Sequence, residues 1–126
     1  MPGIARMKIK RRPKYLNTKT KLDGYTFDSL KEQRRYLELL MMQKAGEIRD
    51  LEVHPKFRLE VEGQKVCTYT ADFSYTDLDG NLIVEDVKSE PTKTPSYRIK
   101  KKLMRAVHGI EIREVGGGDR WKQKKQ

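Results

Sequence analysis

The stretch Ala71–Glu90, ADFSYTDLDGNLIVEDVKSE, is typical of two β-strands joined by a tight turn, and the rest of the fold can be built around it. Asp72, Asp86 and Lys88 occupy strand positions in it. Strands of this kind normally bury one face, and isolated charges on a buried face are costly unless they are paired or bind a metal ion. The stretch therefore predicts a polar site built into the sheet.

The turn determines whether the two aspartates meet. If Asp79-Gly80 formed a two-residue hairpin turn, Asp72 would lie opposite Val87. Because side chains alternate along a strand, Asp72 would then point to the face opposite to that of Asp86. A two-residue turn therefore separates the carboxylates.

The sequence TDLDGN fits a three-residue loop better. Asp77 can begin a type I turn, and Gly80 can take the left-handed bulge position that closes it. This register pairs Asp77 with Asn81. It predicts that Asp72 lies opposite Asp86.

Two opposed carboxylates destabilise a sheet unless a cation lies near them. Lys88 shares the face of Asp86 and supplies one positive charge, and a divalent ion that prefers oxygen ligands is the natural companion. The alternative is a surface salt-bridge cluster of Asp72, Asp86 and Lys88 on an exposed sheet face. Glu85 points to the other face, and we expect it to be a structural charge.

The composition of the chain limits the functions that it can have. The chain has 126 residues, a net charge of +10 and one cysteine, so it fits one domain without a disulfide framework and favours a polyanionic partner. Charge alone does not choose among DNA, RNA and an anionic membrane surface. We see no transmembrane span or secretory signal, and a reducing cytoplasm is the expected location.

The chain divides into three parts. Residues 1–24 form a basic N-terminal arm that includes Lys10, Arg11 and Arg12, and residues 116–126 form a basic C-terminal tail. Residues 25–115 show the order helix, three strands, helix, strand, which predicts an α/β (α+β) domain with a mixed sheet flanked by helices. The first strand is interrupted by Pro55 and is expected to be an edge or bent strand. We expect a structural role for His54 before it and for His108 at a helix end.

Start and stop signals delimit the two helices. The first begins at a cap formed by Asp28 or Ser29 and ends before Gly46, and the second begins after Thr94 and ends at Gly109. The basic residues of the second helix form a stripe that could follow a phosphate backbone, although such stripes are usually solvated faces. One lysine falls inside the apolar arc instead. The stripe consists of Arg98, Lys101, Lys102 and Arg105, the arc of Tyr97, Ile99, Leu103, Met104, Ala106 and Val107, and the lysine within it is Lys100.

Asp72 lies on one predicted strand, and the sequence Asp86-Val87-Lys88 lies on the strand that pairs with it, with a predicted helix on either side. This arrangement resembles the PD-(D/E)xK nuclease superfamily. The stretches FDSLKEQRRYLELL, ADFSY, VEDVKSE, TPSYRIKKKLM and GIEI are also similar to a group of small uncharacterised phage-encoded proteins placed in that superfamily. Two positions depart from its pattern, since Ala71 replaces the naming proline and Asp86 replaces the commoner glutamate. The resemblance implies a restriction-endonuclease-like core.

The resemblance further implies a glutamate on the first helix, for which Glu32 is the best match and Glu38 a weaker one. Glu32 has a second interpretation, because Ser29 and Glu32 also fit an ordinary capping box. Asp72, Asp86, the carbonyl of Val87 and Glu32 would then hold Mg²⁺ or Mn²⁺. One ion or two remains open.

The implied function is a metal-dependent DNA endonuclease in which Asp72, Asp86, Glu32 and Lys88 are catalytic, with Lys88 stabilising charge on the attacking water or the phosphate. Branched DNA as substrate comes only from the resemblance to small resolving nucleases. A homodimer would suit paired cuts in two strands, and a phage-encoded chain would act in the host cytoplasm. The alternatives are a non-catalytic nucleic-acid-binding protein with the same fold and, last, a ribosome-associated RNA-binding protein.

Overall fold

The structure is a computed structural model that describes residues 19–116. Within this range the chain forms an α+β fold, as the sequence predicts. A 3₁₀ turn at Glu90–Thr92 precedes the second helix, and a π-helical turn at Met104–His108 follows it. The elements are β1 Thr20–Leu22, β2 Tyr25–Phe27, α1 Leu30–Lys44, β3 Arg49–Val53, β4 Lys56–Val61, β5 Gln64–Thr70, β6 Phe73–Thr76, β7 Leu82–Val87, α2 Pro95–Leu103 and β8 Arg113–Val115.

A four-stranded mixed sheet in the order β3-β6-β7-β8 forms the centre of the described region. The first three strands are antiparallel, and β8 lies parallel to β7 because α2 carries the chain across between them. Helix α1, these strands, α2 and β8 follow the predicted element order. No helix among residues 19–116 is long and apolar enough to cross a membrane.

A long bent hairpin replaces two of the predicted strands. The sequence predicts one strand around Pro55 and one through Ala71-Asp72, but each divides in two at these residues. Strands β3 and β6 join the central sheet, whereas β4 and β5 form a separate two-stranded sheet. The ladder continues through the bend, since the amide of His54 donates to the carbonyl of Asp72 at 2.9 Å and that of Ala71 to Pro55 at 3.0 Å. The strand around Pro55 is therefore bent, as predicted.

The predicted N-terminal arm is too long. Strand β1 lies inside residues 1–24 and pairs with β2 through a two-residue turn at Asp23-Gly24. Both turn residues have positive φ, at 55° and 84°, as the favoured hairpin turn requires. Lys10, Arg11 and Arg12 lie outside the described residues, as does the tail from residue 117 onward.

Helix α1 begins and ends where the sequence predicts, and the second helical segment does so when the π-helical turn after α2 is included. Ser29 caps α1, and Gly46 follows its end with a φ of +81°. Thr94 caps α2, and Gly109, with a φ of +68°, ends the π-helical turn. The predicted apolar arc of α2 is partly wrong, because Ile99 and Ala106 are exposed. The widened turn after Leu103 shifts the angular position of the last residues.

Two apolar clusters cover the two faces of the sheet, and β7 contributes to both. Ile83 and Val87 pack toward α1, whereas Val84 packs on the opposite side, where α2 lies. This alternation leaves Glu85 on the α1 side and Asp86 on the other side. The buried residues are Phe27, Tyr36, Leu39, Ile48, Phe73 and Tyr75 on the α1 side, and Leu59, Tyr69, Ala71, Val84, Tyr97, Met104 and Ile112 on the other.

Candidate metal centre

The turn between β6 and β7 has the predicted three-residue loop. The amide of Asp77 donates to the carbonyl of Asn81 at 3.0 Å, and Gly80 has a φ of +85°. The strands pair Phe73 with Glu85 in the predicted register, and just before β6 the amide of Asp72 donates to the carbonyl of Glu85 at 3.2 Å. The predicted loop and the register between β6 and β7 are therefore confirmed.

Asp72 and Asp86 are joined through the backbone of the two strands. The amide of Asp72 donates to Oδ1 of Asp86 at 2.9 Å, and the amide of Val87 donates to Oδ2 of Asp72 at 2.7 Å. The hydroxyl of Tyr69 donates to the other oxygen of Asp86. Asp86 is only 2% exposed, which excludes the alternative of a salt-bridge cluster on an exposed face.

The pKa values of both aspartates are raised from about 3.8 to about 7. Burial is the largest cause in each case because it disfavours the charged form. The second cause for the Asp72 pKa is the charge of Glu32, and for the Asp86 pKa it is the charge of Asp72. The carboxylates therefore lie close enough to disfavour one another's ionisation, which a bound cation would reverse.

Ser29 caps α1 as predicted, but the Glu32 carboxylate accepts from the amide of Asp28 and not from that of Ser29, as it would in an ordinary capping box. The Glu32 side chain also lies beside Asp72 and His54. The amide of Glu32 donates to Oγ of Ser29 at 3.2 Å, and its Oε1 accepts from the amide of Asp28 at 2.8 Å. Its Oε2 lies 2.9 Å from Nε2 of His54. With the side chain 3% exposed, Glu32 faces the interior beside Asp72.

His54 also lies in the site, although the sequence favours only a structural role for it. Glu32, His54 and Asp72 each have one atom that could bind a metal ion, and these three atoms lie within 4.8 Å of one another. The histidine stands at the hairpin bend, opposite Asp72, with a φ of +56° that places it in the left-handed region. The available signal was its position directly before Pro55, because a bend there turns the histidine toward the strand that carries Asp72.

Lys88 lies on the Asp86 side of the sheet, as predicted. Its Nζ is 4.5 Å from the centre of the Tyr97 ring, and its amide donates to the carbonyl of Val115 at 2.9 Å. Its charge lowers the pKa of both Asp72 and Asp86, although burial outweighs this effect. Among the described residues, no carboxylate lies within 4 Å of the Lys88 Nζ.

Glu85 lies on the opposite face and is paired, as predicted for a structural charge. Both of its carboxylate oxygens accept from Arg35, with Nε at 2.9 Å and Nη2 at 2.7 Å. The hydroxyl of Tyr75 donates to the same carboxylate. Glu85 is fully buried, so this ion pair connects α1 to the sheet behind the candidate site.

The basic stripe of α2 borders a groove of about 440 Å³, but it is less free than the sequence predicts. Lys101 donates to Glu114 at 2.9 Å, and Arg98 and Arg105 approach carboxylates of Glu90 and Glu111 at 3.6 Å. Lys102 is exposed, and Lys100 is half-buried outside the groove lining. The groove is lined by Lys93, Tyr97, Arg98, Lys101, Lys102, Arg105, Glu111 and Glu114.

Comparison with known protein families identifies the family of this chain. The family model described as a protein of unknown function (DUF1064) matches residues 12–117, so the chain belongs to this family. No curated protein and no solved structure matches the chain.

Proposed function

We propose that this member of the DUF1064 family is a metal-dependent endonuclease that hydrolyses phosphodiester bonds in DNA. The observation that carries the proposal is the three-residue loop register, which places Asp72 beside Asp86 and leaves Lys88 on the same side of the sheet. This arrangement is the one that the resemblance to the PD-(D/E)xK superfamily implies. The helix, bent strands, second helix and parallel strand are consistent with a restriction-endonuclease-like core.

The chemistry of the donor atoms fits a divalent cation. Glu32, Asp72 and Asp86 bring three carboxylates from three parts of the chain into one region, whereas Lys88 supplies one positive charge. Oxygen donors of this kind suit Mg²⁺ or Mn²⁺. The carboxylates and the carbonyl of Val87 would hold the ion, which would orient the scissile phosphate and lower the pKa of water.

The remaining side chains position the reacting groups. Lys88 is held over the Tyr97 ring, so its ammonium group remains near Asp72 and Asp86 without a direct ion pair to either. A lysine in this position can stabilise negative charge that develops on the phosphate. Tyr69 donates to one Asp86 oxygen, and the burial-raised pKa of Tyr69 keeps its hydroxyl protonated as a donor. This hydrogen bond helps to hold the Asp86 carboxylate in place.

DNA binding is proposed from charge and position. The chain carries a net charge of +10, and Tyr97, whose ring lies 4.5 Å from the Lys88 Nζ, is one of the residues that line the groove beside α2. Phosphates bound by lysine and arginine release counterions, which gives sequence-independent affinity. The contacting residues would be Arg98, Lys100, Lys101, Lys102 and Arg105, together with Lys10, Arg11 and Arg12 of the N-terminal segment.

The test is cleavage of supercoiled plasmid with Mg²⁺ or Mn²⁺ against chelator. Asp86→Asn and Lys88→Ala should each lower the cleavage rate by about 100-fold or more while DNA binding persists, since each removes a group that acts on the reacting phosphate. Asp79→Asn and Lys65→Ala are matched controls, because they change the same charges at exposed positions. Both controls should cleave at the wild-type rate.

DNA binding without cleavage under any divalent ion would instead favour the alternative, a non-catalytic nucleic-acid-binding protein. The same assay on linear, single-stranded, forked and four-way substrates tests the branched-DNA preference. The proposal also includes a homodimer with one site per chain. It further includes a cytoplasmic location, which would be the host cytoplasm if the chain is phage-encoded.

A further inference from the structure

His54 brings a nitrogen donor into a group of oxygen donors. Its Nε2 lies 2.9 Å from Oε2 of Glu32, and both atoms lie within 4.8 Å of a carboxylate oxygen of Asp72. Two ligands that share one ion stand at most about 4.4 Å apart, since each lies about 2.2 Å from the metal. The three donors therefore need only small side-chain movements to bind one ion.

The fold holds the imidazole in this place from several sides. The amide of His54 donates to the carbonyl of Asp72, so backbone pairing sets the distance between the two residues. The ring lies 6.0 Å from the ring of Phe27, which is fully buried. The side chain is 33% exposed, and the histidine is therefore oriented by packing and pairing instead of moving freely at the surface.

The acids of the site also lie close to one another. Glu32 and Asp72 bring carboxylate oxygens within 4.8 Å of each other, and the Asp86 carboxylate accepts from the amide of Asp72 at 2.9 Å. A divalent cation bound among them would offset the repulsion between neighbouring carboxylates.

We propose that His54 is a ligand of the catalytic cation, and that the site therefore prefers a first-row transition-metal ion such as Mn²⁺ over Mg²⁺. This inference rests on the proposed function, because it concerns the same centre. Mg²⁺ prefers oxygen ligands and keeps much of its water, whereas imidazole suits transition-metal ions. The ligand set is Glu32, His54 and Asp72, with Asp86 beside Asp72.

The experiment uses the full-length chain, freed of metal, with Mn²⁺ and Mg²⁺ as probes. Titration calorimetry measures both affinities, and pulsed electron paramagnetic resonance detects the coupling of a ligand nitrogen to bound Mn²⁺. The test variant is His54→Asn, because asparagine tolerates the left-handed backbone better than alanine does. The control is His108→Ala, which removes the other histidine, whose Nε2 contacts the Arg58 carbonyl away from the site.

We expect wild type and His108→Ala to bind Mn²⁺ more tightly than Mg²⁺ and to show nitrogen coupling. In His54→Asn the coupling should disappear and Mn²⁺ affinity should fall by about 10-fold or more, as expected for loss of a ligand, while Mg²⁺ affinity changes by less than about threefold. Thermal unfolding of the metal-free variants checks that His54→Asn is folded.

Unchanged Mn²⁺ affinity and nitrogen coupling in folded His54→Asn would overturn the inference and leave the endonuclease proposal intact. Wild-type protein that binds neither ion would overturn both. Tight Mn²⁺ binding with nitrogen coupling, but no cleavage of any DNA, would support His54 as a ligand and contradict the proposed function.

Discussion

The carboxylate of Asp86 accepts a hydrogen bond from the backbone amide of Asp72 at 2.9 Å. Asp72 in turn accepts from the amide of Val87, so each carboxylate is fixed by the strand that carries the other. The position of the two acids therefore depends on the pairing of β6 with β7. That pairing depends on the loop at Asp77–Asn81.

Asp77→Ala should weaken this loop. Oδ1 of Asp77 accepts from the amides of Asp79 and Asn81, both at 2.9 Å, and the variant loses both hydrogen bonds. We expect the free energy of unfolding to fall by about 1–2 kcal/mol in urea titrations. Asp79→Ala, an exposed aspartate in the same loop, is the control and should change it by less than about 0.5 kcal/mol. Equal losses in the two variants would contradict this account of the turn.

The metal-free protein should lose stability as pH rises from about 4 to 7. The pKa values of Asp72 and Asp86 are about 7 in the folded protein against about 3.8 ordinarily, so the folded state retains protons that the unfolded chain has lost. The free energy of unfolding therefore falls with pH in this window. The check is the unfolding temperature in chelator at pH 5 and pH 8.

Asp86→Asn provides the comparison for this pH effect, because it removes one of the two titrating groups. Its unfolding temperature should decrease less between the two pH values than that of wild type. Mn²⁺ added at pH 8 should raise the wild-type unfolding temperature more than that of the variant. Identical pH dependence in both proteins would rule out the carboxylate pair as the cause.

Arg35→Met should be strongly destabilising because it leaves the fully buried carboxylate of Glu85 without its cation. Breaking a buried pair on one side costs about 3–5 kcal/mol, whereas replacing both partners by apolar residues costs much less. The double variant Arg35→Met/Glu85→Leu should recover most of the loss. Glu38→Ala removes the exposed partner of the same arginine and should cost less than about 1 kcal/mol.

Tyr97→Leu should slow cleavage by removing the ring that holds Lys88. A contact of this type is worth about 0.5–2 kcal/mol, which corresponds to about 2- to 30-fold in the single-turnover rate. Tyr97→Phe keeps the ring face and loses only the hydrogen bond to Glu114, so its rate should remain close to that of wild type. A phenylalanine variant as slow as the leucine variant would assign the effect to the hydroxyl.

Glu114→Gln should increase DNA affinity. Its carboxylate contacts Lys93 at 3.0 Å and Lys101 at 2.9 Å. Neutralising it leaves Lys101 available to phosphates in the groove and removes one of the two carboxylates that contact Lys93, the other being Glu90 at 3.0 Å. The slope of log affinity against log salt concentration should steepen by about 1 for each additional phosphate that these lysines bind. Glu47→Gln, an exposed glutamate that does not line the groove, should leave affinity and slope unchanged.

Much of the fold could be predicted from local signals. Ser29 and Gly46 delimit α1, and Thr94 and Gly109 delimit the second helical segment, because capping and left-handed glycine depend on neighbouring residues. The N-terminal hairpin carried such a signal in Asp23-Gly24, but the basic composition around it concealed the strand β1.

Part of the candidate site could likewise be predicted from local sequence, and part could not. The meeting of Asp72 with Asp86 follows from sequence alone, because the short loop Asp77–Asn81 sets their register and contains its own glycine. The contact of Glu32 with His54 forms only in the folded chain. The same is true of the ion pairs between carboxylates and the basic stripe of α2. Those contacts join residues that are distant in the chain or depend on side-chain direction, and packing of helices on a bent sheet decides them.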